Sequence, residues 1–126
     1  MKLGTLFTIN AIVAILFGLA FVLMPATLSS YYGITLSPGG LYIAQLFGTA
    51  LLGFAVLTWS SRNAGESDAR QAIVLALFIS DTVALVVSLL AQFAGTANAL
   101  GWSTIIIYLL LALGFAYFQF MKPSSS

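Results

Sequence analysis

Asp81 is the side chain with the clearest chemical potential in this sequence, because it is an acid inside a long apolar segment. It lies 11 residues after Arg70, which corresponds to a depth of about 16 Å in a membrane-spanning helix. That depth is near the middle of a hydrocarbon core of roughly 30 Å. An acid there costs about 2.5–3.5 kcal/mol on insertion scales, so we expect it to face other helices and to have a polar partner.

Four polar residues are candidates to share a ligand, ion or proton site with Asp81. Thr49 and Tyr108 are expected at its depth in two other apolar segments, and they are the candidate partners of its carboxyl group. Asn10 and Gln45 are expected nearer the two membrane surfaces. No lysine or arginine lies in the interior of an apolar segment, so the chain offers no ion pair within the membrane.

Three interpretations of Asp81 stay open. In the first, it relays protons or coordinates a cation along a path of polar side chains. In the second, it binds a basic residue of another subunit, or the polar head of a lipid or a quinone. In the third, it is a neutral acid that hydrogen-bonds a threonine or tyrosine and fixes the register of the helices.

The residue types that are missing exclude several kinds of chemistry. The chain of 126 residues contains no cysteine and no histidine. Disulfides, thiolate metal sites and thiol catalysis are excluded, and so are the usual ligand of haem, zinc and copper and the commonest general base. We therefore predict no enzyme activity, no catalytic residue, no metal site and no cofactor. A lipid or quinone could still occupy an apolar groove without a signature in the sequence.

The composition is that of a membrane protein. The chain is 61% hydrophobic and 6% charged, with a mean hydropathy of +1.10. Soluble domains carry about 25% charged residues, so lipid must be the solvent for most of this surface. The net charge of +1 gives no reason to expect nucleic acid as a partner.

Four segments are long and apolar enough to span a membrane, which takes about 20 helical residues. They cover residues 3–24, 41–60, 70–91 and 102–121. We predict an all-α membrane protein: one domain at residues 1–122 that forms a bundle of four transmembrane helices. A disordered tail is expected at residues 123–126.

The basic residues predict the orientation of the bundle. They are Lys2, Arg62, Arg70 and Lys122. All of them flank the spans on one side, whereas the links at residues 25–40 and 92–101 carry no charge. Since lysine and arginine are enriched in cytoplasmic loops, both termini and the middle link are expected in the cytoplasm.

The links also contain signals for helix ends. Pro25 suits the first turn of a short helix that reaches Tyr32. Ser37 begins a turn that can cap the second span. Asp68 and Gln71 have the spacing of a capping box at the start of the third span.

The two halves of the chain resemble each other at an offset of 61 residues. Residues 10–13 align with residues 71–74, and residues 52–55 align with residues 113–116. One offset therefore serves both helices of a hairpin. This pattern favours two hairpins of the same orientation, which is the parallel type of internal repeat.

Small residues predict where helices approach each other closely. In lipid, association relies on close packing rather than on the hydrophobic effect, so small residues mark helix contacts. Gly18, Gly48, Gly53 and Gly114 are the predicted packing positions. We favour packing within the bundle, and the alternative is a docking face for another membrane protein.

One stretch of the chain resembles a known group. It contains Leu23-Met24-Pro25, Tyr32-Gly33, Leu46-Phe47-Gly48 and Leu51-Leu52-Gly53 ahead of Arg62. This layout, mostly within residues 15–62, resembles small bacterial four-helix integral membrane proteins, of which the DoxX-like group is the nearest named one. The resemblance implies a multi-pass bundle in the bacterial inner (plasma) membrane. It also implies an accessory role beside quinone-related or redox complexes, but no functional residue of that group matches this chain.

The predicted function is that of a small non-enzymatic accessory or structural subunit in a larger membrane complex. Its partners would be membrane lipids and other integral membrane subunits, and a homo-oligomer stays an open alternative. The second hypothesis is a small proton or cation channel or transporter that uses Asp81, as a homo-oligomer. A conductor should show polar side chains through the full depth of the bundle, which distinguishes the two.

Overall fold

A computed structural model describes residues 2–121, which form five α-helices and a terminal π-helical segment. The helices are α1 (Leu3–Leu23), α2 (Pro25–Tyr31), α3 (Pro38–Ser61), α4 (Asp68–Phe93) and α5 (Gly101–Ala116), and the π-helical segment is Tyr117–Met121. Lys122 and the predicted tail at residues 123–126 lie outside the described residues.

Four helices are long and apolar enough to cross a membrane: α1, α3, α4, and α5 together with its π-helical extension. They correspond to the four predicted spans, so the predicted all-α membrane fold is confirmed. The helix ends differ from the predicted spans by at most three residues: α3 starts at Pro38, α4 ends at Phe93 and α1 ends at Leu23. The orientation of the bundle across the membrane stays a prediction.

The helix ends follow local side-chain chemistry, with one correction to the sequence analysis. The hydroxyl of Ser37 accepts a hydrogen bond from the backbone N–H of Gly40 at 3.1 Å and caps α3 as predicted. The cap of α4 is Ser67, whose hydroxyl accepts from the backbone N–H of Arg70 at 3.1 Å. The capping box predicted at Asp68 is therefore wrong by one residue. Ser67 has the extended backbone that a cap requires. Asp68 is already helical, and its negative charge interacts favourably with the positive end of the helix dipole.

The long helices pack as two hairpins, α1 against α3 and α4 against α5. In the first hairpin, Gly18 and Gly48 bring the two backbones together, because a methyl group on Gly48 would lie 2.8 Å from the carbonyl oxygen of Gly18. In the second, Phe93 and Trp102 meet edge to face with ring centroids 6.0 Å apart. The hairpins meet each other through α1 and α5. There, a methyl group on Gly114 would lie 3.0 Å from Leu6 Cδ2.

The hydrophobic core fills one half of the bundle. We call this half the inner half; it holds the chain start, the link at residues 62–67 and the π-helical segment. Its core consists of Leu3, Leu6, Phe7, Val74, Leu77, Leu111, Phe115 and Phe118. The rings of Phe7 and Phe115 pack with centroids 6.0 Å apart, and both residues are fully buried. The outer half, which holds α2 and the link at residues 94–100, contains a cavity instead of a filled core.

Candidate functional site

A cavity of about 340 Å³ lies between the two hairpins, mainly in the outer half of the bundle. Its walls carry small side chains from facing helices, including Ala14 of α1, Ala84 and Ala91 of α4, and Gly101 of α5. Small side chains leave volume between helices that large side chains fill in the inner half. We call this space the outer cavity.

The outer end of the cavity is covered by α2 and by the link between α4 and α5. The backbone N–H of Asn98 donates to the carbonyl oxygen of Tyr32 at 2.9 Å, and its side-chain amide donates to that of Tyr31 at 3.1 Å. The hydroxyl of Thr104 donates to the Tyr32 hydroxyl at 3.2 Å. These bonds tie Tyr31 and Tyr32, at the end of α2, to the second hairpin.

Asp81 lies near the middle of α4 and lines the outer cavity. It shares a helix face with Leu77, Ala84 and Ser88, because residues three and four apart point to the same side of a helix. Only 6% of Asp81 is exposed, and its Oδ2 atom is buried without a hydrogen-bond partner among residues 2–121. Buried polar groups are normally paired, so this oxygen is the most unusual atom of the site.

Tyr108 lines the same cavity from α5. It shares a face with Thr104 and Leu111, at spacings of four and three residues. Within the described part of the chain, its hydroxyl makes no hydrogen bond. The structure thus brings together Asp81 and Tyr108, two of the predicted site residues, around one space.

Asn10, a third predicted site residue, lies at the edge of the outer cavity and is 6% exposed. Its side-chain amide donates to the hydroxyl of Thr58 at 3.4 Å, and that hydroxyl donates in turn to the carbonyl oxygen of Phe54 at 2.8 Å. Thr58 is fully buried, and it is not among the site residues predicted from the sequence. The signal that could have found it is the antiparallel alignment of the first hairpin, which puts Thr58 level with Asn10.

Gln45 and Thr49, the other two predicted site residues, do not line the outer cavity. Both are exposed on α3. The side-chain amide of Gln45 donates to the carbonyl oxygen of Val22 at 3.2 Å, and the Thr49 hydroxyl donates to that of Leu46 at 2.7 Å. Thr49 follows Gly48, which faces α1, and one helical step of about 100° turns it outward. Depth alone suggested Thr49 as the partner of Asp81, but helix rotation separates them.

The outer cavity opens sideways between α3 and α4. The helices pack in the order α3, α1, α5, α4, and among the described residues α3 and α4 make no comparable contact with each other. Phe47 and Phe54 of α3 and Ser80 of α4 line the cavity and are also exposed. In a membrane, this gap would face lipid.

The positively charged side chains among residues 2–121 lie at the inner end, away from the outer cavity. Lys2, Arg62 and Arg70 line a separate pocket of about 370 Å³ at the inner end. There, an Nη1–H of Arg70 donates to the carbonyl oxygen of Ala64 at 3.0 Å, and the Arg62 guanidinium lies 3.9 Å from the ring centre of Trp59. Between residues 2 and 121, no three acidic, histidine or cysteine side chains come together as a metal site would require.

In comparisons with known proteins, no family model, no curated protein and no solved structure matches this chain. The resemblance to the DoxX-like group stays a prediction.

Proposed function

We propose that this protein is a small non-enzymatic integral membrane protein that acts as an accessory or structural subunit of a larger membrane complex. The observation that carries the proposal is a face of small residues on α3 that no other described part of the chain covers. Thr49 and Gly53 are exposed at a spacing of four residues, and a methyl group on Gly53 would meet no atom of residues 2–121 within 4 Å. We call Thr49, Ala50 and Gly53 the α3 outer face.

Such a face suits a helix of another membrane protein. Small residues four apart let two backbones approach closely, and this packing is a main source of helix association in lipid. Gly18 and Gly48 already serve this purpose inside the first hairpin. The α3 outer face also consists of small residues but lies on the surface of the bundle, so a second protein is the occupant that we propose for it.

Channel or transporter function is the second candidate, and the unpaired Oδ2 atom of Asp81 is the observation that favours it. A conductor needs polar side chains or water along the whole path. Phe7, Val74 and Phe115 are fully buried in the inner half, and this apolar layer lies between Asp81 and the inner end. With Gln45 and Thr49 outside the cavity, the arrangement within one chain favours the subunit over the conductor.

We also propose that the protein lies in the bacterial inner (plasma) membrane with both termini in the cytoplasm. Support comes from the position of Lys2, Arg62 and Arg70 around one pocket at the inner end, since basic residues concentrate on the cytoplasmic side. The bacterial source rests on the resemblance alone.

Purification from the native membrane in mild detergent, followed by mass spectrometry, tests the subunit function. We expect other integral membrane proteins to copurify at fixed stoichiometry. Gly53→Leu should disrupt the complex, because the larger side chain blocks close approach. Ala76→Leu is the matched control, since Ala76 is exposed on α4, and it should leave the complex intact.

A lone monomer or homo-oligomer under these conditions would contradict the subunit function. Proton and cation flux in liposomes would then be measured, with Asp81→Asn as the control. Loss of flux in that variant would support the conductor.

A further inference from the structure

Two polar groups in the outer cavity have hydrogen-bonding capacity that the chain does not use. The Oδ2 atom of Asp81 is buried and has no partner in the described part of the chain, and neither does the hydroxyl of Tyr108. The neighbouring Tyr32 and Thr104 bond each other. An unpaired buried polar group is costly in an apolar environment, so the free capacity of the buried Asp81 oxygen points to a hydrogen-bonding ligand. The half-buried Tyr108 offers a second group for the same ligand.

The rest of the cavity is suited to an apolar body. Phe17, Phe21 and Phe47 line it together with Leu51 and Ile107. Its volume of about 340 Å³ is at the small end of the range of roughly 300–1,000 Å³ for ligand pockets. It therefore fits a small head and the first part of a chain, and the gap between α3 and α4 gives the remainder a way into lipid.

The charges around the cavity limit the kind of head that can bind. Neither lysine nor arginine is among the residues of the described chain that line it, so an anionic phosphate or carboxylate would have no counter-charge and would lie beside an acid. A cationic head would require an ionised Asp81, and a buried ion pair must overcome the desolvation of both charges. A neutral head avoids both costs.

We propose that the outer cavity binds a neutral amphiphile, whose hydroxyl or carbonyl head hydrogen-bonds Asp81 and Tyr108 and whose apolar chain passes between α3 and α4 into the lipid. A carboxylic acid and a phenol can each donate and accept, so both kinds of oxygen fit the pair. This site is separate from the α3 outer face and does not depend on the docking function proposed above.

The binding site can be tested with a photoreactive monoacylglycerol on the purified protein. Unlabelled competitors of equal chain length would carry a hydroxyl, a carboxylate or a trimethylammonium head. We expect the hydroxyl compound to compete at a concentration about ten-fold lower than either charged compound, since both charged heads lose hydration that the cavity does not replace. A polyprenol run beside the monoacylglycerol would show which kind of chain the gap prefers.

Substitutions at the head site separate a neutral ligand from a cation. Tyr108→Phe should weaken binding about five-fold, the effect of one hydrogen bond. Asp81→Asn should stay within about three-fold of the parent, because the amide is neutral and still forms hydrogen bonds, whereas Asp81→Leu should lose most of the affinity. A cation site would instead lose its affinity in Asp81→Asn.

A matched pair on α4 tests the location of the chain. Ala84→Phe places a ring in the cavity and should reduce labelling to background, whereas Ala76→Phe adds the same ring on an exposed position outside the cavity and should not. Size-exclusion profiles would check that the variants fold. If Ala84→Phe does not fold, the binding measured for Tyr108→Phe tests the proposal instead. Equal labelling of both alanine variants, or strongest competition by the ammonium compound, would overturn the proposal.

Discussion

Thr58 supports a buried hydrogen bond that links α1 to α3. Its hydroxyl accepts from the side-chain amide of Asn10 at 3.4 Å, and both residues are buried. An unpaired amide within the membrane would have no water to replace this partner. The bond therefore fixes the register of the first hairpin at the edge of the outer cavity, where Asn10 lies.

We predict that Thr58→Val lowers the stability of the protein in detergent by about 1 kcal/mol, near the upper part of the range measured for hydrogen bonds between membrane helices. Thr49→Val is the control, because the Thr49 hydroxyl bonds only within its own helix on an exposed face, and it should change stability by less than about 0.5 kcal/mol. Equal effects of the two substitutions in thermal unfolding would contradict this role.

The candidate site was partly predictable from residue type and depth. Asp81, Tyr108 and Asn10 were identified because polar residues in apolar spans are rare, and all three lie around the outer cavity. Thr49 was suggested by the same argument, and the structure places it on the outer surface. Depth follows from counting residues along a helix, but the rotation of each helix depends on packing between helices.

Among the helices, α1 and α3 depend on each other most directly through two glycines. A methyl group on Gly48 would lie 2.8 Å from the Gly18 carbonyl oxygen and 2.9 Å from Phe21 Cβ. Both contacts involve atoms that belong to the helix backbone or are bonded to it, so a side chain at this position would push the helices apart. The cost of such overpacking is typically about 1–3 kcal/mol.

We predict that Gly48→Leu lowers the unfolding temperature in detergent and that Gly53→Leu does not. Both glycines were predicted as packing positions, but only Gly48 meets another helix within the chain. Thermal unfolding followed by size-exclusion chromatography would measure the difference. A comparable loss in both variants would show that Gly53 is also packed within the bundle.

The elements themselves were more predictable than their contacts. Length and hydropathy identified the four spans, and Pro25 and Ser37 marked where α2 and α3 begin. The cap of α4 was predicted one residue too late, because Ser67 and Asp68 are both good caps. Which glycines face inward could not be predicted, since Gly48 and Gly53 have similar neighbours in the sequence.

At the level of the whole molecule, the bundle has a packed inner half and an open outer half. Large side chains such as Phe7 and Phe115 fill the first, and small ones such as Ala84 leave the cavity in the second. Lys2, Arg62 and Arg70 flank the packed half, so the positive-inside rule gives the two halves a predicted direction. The outer cavity would then lie in the outer part of the membrane.

Single cysteines can test this direction, because the chain contains no native cysteine. Thr96→Cys lies in the outer link and Asn63→Cys in the inner link, both at exposed positions. In intact spheroplasts, a membrane-impermeant maleimide should label the first and should reach the second only after permeabilisation. The reverse pattern would place the termini outside the cytoplasm.

The whole bundle should also fail to conduct as an isolated protein. The buried layer of Phe7, Val74 and Phe115 offers no polar path between Asp81 and the inner end. We expect liposomes that contain the purified protein to show the same proton flux as protein-free liposomes. Flux that disappears in Asp81→Asn would contradict this expectation.

Contact between the α3 outer face and another membrane protein underlies the proposed function. Its most direct test is photocrosslinking in the native membrane with benzoylphenylalanine at Thr49, compared with the same residue at Ala76 on α4. We expect a discrete crosslinked band that contains a second integral membrane protein from Thr49 and none from Ala76. Crosslinks to lipid alone, or only to another copy of this chain, would contradict the claim.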